Sequence, residues 1–151
     1  RSIIDFEENP SLFRKVANEV KNLILEKAVD LGVPGLIMTF CYSRPDSDSN
    51  LRETMELLRS KRSEMFFARL YCEDEELYRR VQNPSRKETS MKKLTDVEEL
   101  KRALGKHGFK EEINYVENLA IDTTKISARE TAERIANHYD LSSQIRSEKY
   151  V

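Results

Sequence analysis

The chain has 151 residues, 38% of them hydrophobic and 35% charged, with 26 basic and 27 acidic side chains and a formal net charge of -1. That length suits one globular unit with a core of its own, and the even split of charge excludes a whole-chain basic field for duplex nucleic acid as well as the uniform acidity of a disordered tail. No apolar stretch approaches the roughly 18 residues of a membrane span, and Cys41 and Cys72 show neither CxxC spacing nor a signal peptide beside them, so reduced core thiols in a cytoplasmic protein are expected.

Asn9 followed by Pro10 reads as a helix start, an N-cap and then the residue that tolerates a missing N–H. Leu12, Phe13, Val16, Val20, Leu23, Ile24 and Leu31 follow at helical spacing until Gly32 and Pro34. GLIMTFCY (35–42) is an almost continuously apolar run between turn signals, which predicts a strand covered on both faces. After the polar loop SRPDSDSN, Leu51, Met55 and Leu58 mark a second helix, MFFARLYC (65–72) a second apolar strand, and residues from about Asp74 to Val81 a third helix.

A basic loop comes next. Between Arg79 and Lys93 stand six basic residues (Arg79, Arg80, Arg86, Lys87, Lys92 and Lys93) against one acid, Glu88. Thr95 to Glu98 then reads as a capping box that opens a helix carrying Val97, Leu100 and Leu104 and stopping near Gly105 or Gly108. YVENLAIDTT contains a third short strand ending at Asp122, and Ser127 to Glu130 is a second capping box, before a helix with Ala128, Ala132, Ile135, Ala136 and Tyr139 on one face. The tail from Ser142 is polar. Helices alternating with buried strands predict an α/β sheet, mostly parallel, with right-handed crossovers.

In such sheets the ligand lies beyond the carboxyl ends of the strands. Three segments are therefore expected to converge: Tyr42, Ser43, Arg44, Pro45 and Asp46 after the first strand, Cys72 to Asp74 after the second, and Asp122, Thr123 and Thr124 after the third. The helix from Asp74 would carry the basic loop about 12 to 15 Å away, a distance that suits a flap.

The order of LYCEDEELYRRV, SRKETSMKKLTDVEEL and NLAIDTTKISARETAERI resembles the C-terminal half of a P-loop small-molecule kinase, the group of shikimate kinases and nucleoside monophosphate kinases. SIIDF, the long helix and GVPGLIMTFCYS are similar to its shikimate kinase-like, AAA-family ATPase branch, so the likeness covers nearly the whole chain. The resemblance implies a three-layer α/β/α fold and transfer of the γ-phosphoryl of ATP, with Mg²⁺, to a small-molecule acceptor. It makes 82–95 an arginine-bearing lid and the loop at Asp122 and Thr123 the cradle of the adenine, held mostly through backbone. It implies that Arg80 stacks on adenine and that Arg86 meets the phosphates through its bidentate fork. Lys92, chosen over Lys93, would add charge on the transferring group. Tyr42, Ser43 and Arg44 would face the acceptor, Arg44 being the natural partner of an anion.

The chain departs from that family in one defining feature. GxxxxGK[ST], whose backbone N–H groups and lysine hold the phosphates, is absent, and none of Gly32, Gly35, Gly105 and Gly108 precedes a Lys-Ser or Lys-Thr pair. The expectation is thus an incomplete P-loop kinase-like domain over 1–141, lacking the first two strands of the family pattern, with a polar tail over 142–151. In the family the first strand lies between those matching 35–42 and 65–72, so both would lose a shared neighbour. Beginning at Arg1 without methionine, the chain reads as a fragment. A strand-completing partner chain, a homodimer or direct pairing of the two strands would be the remedy. The spacing from Arg80 to Arg86 is also somewhat longer than in nucleotide kinases.

Each candidate also has a plain structural reading. The basic loop reads equally as a solvated charge cluster, Asp122 to Thr124 as a turn capping the next helix, and Tyr42 to Arg44 as a loop. No acid ends the strand GLIMTF, Asp46 is a poor substitute for a Mg²⁺ partner, and no metal spacing stands out. EDEE (73–76) favours a helix N-terminus over a metal site, and His107 and His138 read as structural. The alternative function is a non-catalytic α/β binding or interaction protein that docks an acidic partner or nucleic acid on segment 79–93.

Overall fold

The computed structural model describes residues 9–45, 47–86 and 93–141. They form five α-helices, a short 3-10 turn and two strands, in two compact units. One unit consists of 9–41 with 45 and 47–65, the other of 42–44 with 66–86 and 93–141.

In the first unit, α1 (Pro10–Asp30) begins where the sequence indicates. The Asn9 side chain accepts a hydrogen bond from the N–H of Leu12 at 3.2 Å, and Pro10 occupies the first helical position. Its other end is a Schellman motif, in which Gly32 N–H bonds Val29 C=O and Val33 N–H bonds Ala28 C=O. Gly32 takes φ +68°, which a residue without Cβ adopts cheaply. The same motif closes α2 (Asp48–Ser60), through Arg62 N–H to Arg59 C=O and Ser63 N–H to Leu58 C=O. There Arg62 adopts φ +59°, an unusual conformation for a residue with a side chain.

The α1–α2 pair buries Leu25, Leu51 and Met55 beside a polar network. The fully buried Thr54 hydroxyl donates to Asn22 Oδ1 at 2.8 Å and lies 2.9 Å from Asn50 C=O, while the Asn18 and Asn22 amides reach the two Glu53 oxygens at 3.2 and 3.3 Å. Lys61 bridges back to Glu26 and Asp30.

The second unit is built on a two-stranded parallel sheet. β1 (Ala68–Tyr71) and β2 (Leu119–Asp122) pair with Ala68 opposite Leu119 and Tyr71 opposite Asp122. The crossover between them carries α3 (Asp74–Val81), the 3-10 turn Pro84–Arg86 and α4 (Val97–Lys106), and α5 (Ala128–His138) follows β2. Ile121 and Val81 are buried. At the start of the strands the Tyr139 hydroxyl donates to Phe67 C=O at 2.5 Å and accepts from Leu119 N–H at 3.2 Å.

The Ser127 side of the expected capping box forms, with Ser127 Oγ accepting from Glu130 N–H at 3.1 Å, while the Glu130 carboxylate pairs with Arg134. The cap of α4 is displaced by one residue, because Asp96 rather than Thr95 accepts, from Glu99 N–H at 2.7 Å. A carboxylate is the stronger acceptor for an N-terminal N–H.

The chain is α/β with a parallel pairing, yet 35–42 is not the buried strand that its apolar run predicts. It has no regular secondary structure, residues 35–41 are exposed, and Ile37 keeps 95% of its surface accessible. A strand apolar on both faces needs a neighbour for its backbone groups and a cover for each face, and no strand among the described residues supplies them. Cys41 is correspondingly exposed and Cys72 half-buried, both as free thiols, so neither is the core thiol expected. No described helix is long and apolar enough to cross a membrane.

Candidate functional site

The carboxyl ends of β1 and β2 meet the start of α3 in one hydrogen-bonded corner. Thr123 N–H donates to Tyr71 C=O at 2.7 Å, extending the ladder beyond β2, and the Thr123 hydroxyl donates to the same carbonyl at 2.9 Å. Thr124 Oγ1 accepts from Glu73 N–H at 2.9 Å, at the cap of α3. Asp122 folds back over the turn, its carboxylate accepting from the Thr124 N–H at 2.8 Å and hydroxyl at 2.5 Å. Those bonds, the hydroxyl's first, hold the Asp122 carboxyl below its usual range.

Arg80 locks the corner from the last turn of α3. Its Nη1 lies 3.1 Å from Thr123 Oγ1, its Nη2 donates to Thr123 C=O at 2.5 Å, and its Nε donates to Glu76 Oε1 at 2.7 Å. The structure therefore brings together Arg80, Asp122 and Thr123, three residues from segments more than 40 positions apart that the kinase resemblance assigns to the adenine side of a site. Thr123 is buried, so its guanidinium contacts are held away from bulk water.

Glu76 is the member that inspection of the sequence missed. It takes Arg79 through both oxygens at 2.6 and 2.7 Å and Arg80 through one. The signal was present, since Glu76 stands three residues before Arg79 and four before Arg80, the spacings at which helical side chains meet. Its carboxyl is pulled down to about 2, first by the hydrogen bond from Arg79 and then by that from Arg80.

The folded value lies below the ordinary 4.5, so the stabilisation is fully present above about pH 4.5 and is lost as pH falls through about 2. An NMR titration of the Glu76 carboxyl is expected to show a midpoint near 2, with the Arg80–Thr123 contacts unchanged down to about pH 4. A midpoint near 4.5 would remove Glu76 from the clamp.

Arg86 sits at the end of the 3-10 turn, and its Nε donates to Leu94 C=O at 2.9 Å. That bond ties together the two described ends of the expected lid and makes Arg86 a strut at its base. Lys92, Lys87 and Asp46 lie outside the described residues.

Tyr42, Ser43 and Arg44 belong to the second unit. Arg44 forms an isolated antiparallel bridge with Gly108, and its Nε lies 3.7 Å from Glu111. Next to Glu111, Lys110 pairs with Asp74 at 2.7 Å, and Arg69 pairs with Glu112. The segment 108–112 thereby joins Arg44 to the start of α3, a connection that no sequence spacing revealed. Asp74 and Glu76 stand in the first turn of α3, where EDEE was expected, and each also pairs with a basic side chain that the reading of EDEE did not foresee. No family model, curated protein or solved structure matches the chain.

Proposed function

We propose that the protein is an ATP-dependent phosphotransferase of the P-loop small-molecule kinase type, cytoplasmic and built on a three-layer α/β/α plan, in which the α3-to-β2 region forms the lid and adenine side of the site. The observation that supports this reading is the Arg80 clamp, which joins the helix before the lid to the Thr123 turn after β2, at the strand ends where open α/β sheets take ligands.

In this reading the planar Arg80 guanidinium, oriented by Glu76 and Thr123, presents a face to the adenine. The backbone of 122–124 supplies the edge contacts. Arg86 and Lys92 bring positive charge toward the phosphates, and Tyr42, Ser43 and Arg44 face the acceptor. ATP brings the transferable γ-phosphoryl group when bound. Mg²⁺ would be held chiefly by the triphosphate oxygens, as Mg²⁺ commonly is in kinase sites. Residues 1–151 contain no GxxxxGK[ST], so phosphoryl transfer in this reading needs a phosphate loop from elsewhere, whereas nucleotide binding on the adenine side does not.

Titration of the 151-residue chain with MgATP tests the binding step. Saturable binding is expected, weakened about tenfold in Arg86→Ala, the size of one lost charge-assisted contact. Absence of binding by both proteins would sink the nucleotide reading.

The six basic residues against one acid between Arg79 and Lys93 favour a second reading, a non-catalytic α/β interaction protein with segment 79–93 docking an acidic partner or nucleic acid. A polyanion binding with a steep salt dependence, in place of ATP, would support it.

A further inference from the structure

Among the described residues, two surfaces lack what their chemistry requires, and they match. The first is the outer edge of β1. Phe67 and Tyr71 offer their carbonyls to β2, and in a parallel ladder successive residues alternate sides. The N–H and C=O groups of Ala68 and Leu70 therefore point to the other edge, where no described strand pairs. Around that edge Phe66, Leu70 and Tyr71 are 43 to 54% exposed. The second surface is GLIMTFC, residues 35–41, which carries no charge and leaves Leu36, Ile37, Met38 and Phe40 between 38 and 95% exposed.

We propose that residues 35–41 of one copy add as a strand to the outer edge of β1 in a second copy, and that the second copy returns the exchange. Each copy holds one donor segment and one acceptor edge, so a reciprocal exchange between two copies uses both. The backbone groups of Ala68 and Leu70 gain ladder partners. A two-stranded sheet, marginal by itself, gains a third strand, and the absence of charge in 35–41 means that no ion is desolvated on docking.

The area suffices. At about 200 Å² for a large side chain, the exposed parts of these seven residues come to about 750 Å² per copy, close to the roughly 800 Å² per partner of a stable interface. The pairing needs no nucleotide, and its test contains none.

Sedimentation velocity of the full chain, run from below to above about 1 µM, is expected to show the mass rising from 17.7 kDa to twice that value. Ile37→Lys, at a position already in water, and Leu70→Lys on the edge should each weaken association at least about tenfold. In an equimolar mixture of the two variants one of the two exchanges is intact and the other carries both changes, so where each change abolishes its own pairing the mixture should associate more strongly than either variant alone and more weakly than the wild type. Thr39→Pro, in a stretch without regular structure, removes a ladder N–H and should also give monomer.

A monomer at every concentration overturns the proposal. So does a dimer indifferent to Ile37→Lys and Thr39→Pro, or a mixture of two folded variants that regains nothing. If Leu70→Lys loses its helical circular dichroism, Thr39→Pro decides the matter.

Discussion

Replacing Arg80 with alanine is expected to loosen the corner at the strand ends and to reduce MgATP affinity more than any other single change in the second unit. The variant strips Thr123 of two guanidinium donors, one to its hydroxyl and one to its carbonyl. Thr123 is buried, and hydrogen bonds to a charged donor contribute about 1.5–3 kcal/mol each where water is excluded. The Arg80 side chain is 38% exposed, so solvent screening takes the expected loss below the sum of two such bonds, to about 1–2 kcal/mol in all.

Lost stacking on adenine adds a separate effect in the nucleotide reading. A cation over an aromatic face is worth about 0.5–2 kcal/mol, so a rise in Kd of up to about 30-fold is expected, against about tenfold for Arg86→Ala. Urea denaturation and ATP titration separate the two effects. The same variant removes one of the two arginines from Glu76, whose carboxyl should then titrate well above about 2. If stability falls and ATP binding does not change, Arg80 is a strut alone.

Tyr139→Ala is expected to be the most destabilising substitution in the second unit, at about 2–3 kcal/mol. The Tyr139 side chain is half-buried, its ring lies 4.8 Å from Phe66 and 4.6 Å from His138, and its hydroxyl bonds the residue just before β1 and the first residue of β2. Truncation removes the ring packing and leaves Phe67 C=O and Leu119 N–H with only each other, at 2.8 Å. Tyr139→Phe keeps the ring and should cost about 1 kcal/mol, the net contribution of a hydrogen bond. Hydrogen exchange at Leu119 and Ile121 is the informative measurement, since the β1–β2 pair should open first. Equal protection in the wild type and both variants would show that Tyr139 does not hold the sheet.

Much of the local structure could be read from residue types. Asn9-Pro10, Gly32, Ser127 and the apolar spacings of α1, α2 and α5 all act within one helix turn, where the partners of each backbone group lie within four residues. The parallel pairing of the strands ending at Tyr71 and Asp122 followed from their alternation with helices. Two local readings shifted for local reasons: Asp96 outcompetes Thr95 as a cap, and Glu76 rather than solvent balances Arg79 and Arg80.

By itself the sequence determined which segments become helices, the starts of α1 and α5, and that the segments after the strands ending at Tyr71 and Asp122 converge at one end of an α/β sheet. Only the tertiary structure decided that Arg80 bonds Thr123, that Arg86 braces the two ends of its loop, that Tyr139 spans both strands and that Arg44 lies against 108–111. It also decided that the most strand-like run in the chain, 35–41, stays in water. The physical reason is the same in each case. Helix signals are satisfied by neighbours in sequence, whereas a strand edge, a guanidinium or a hydroxyl takes whichever distant group the fold brings within about 3 Å, and a strand that finds none does not form.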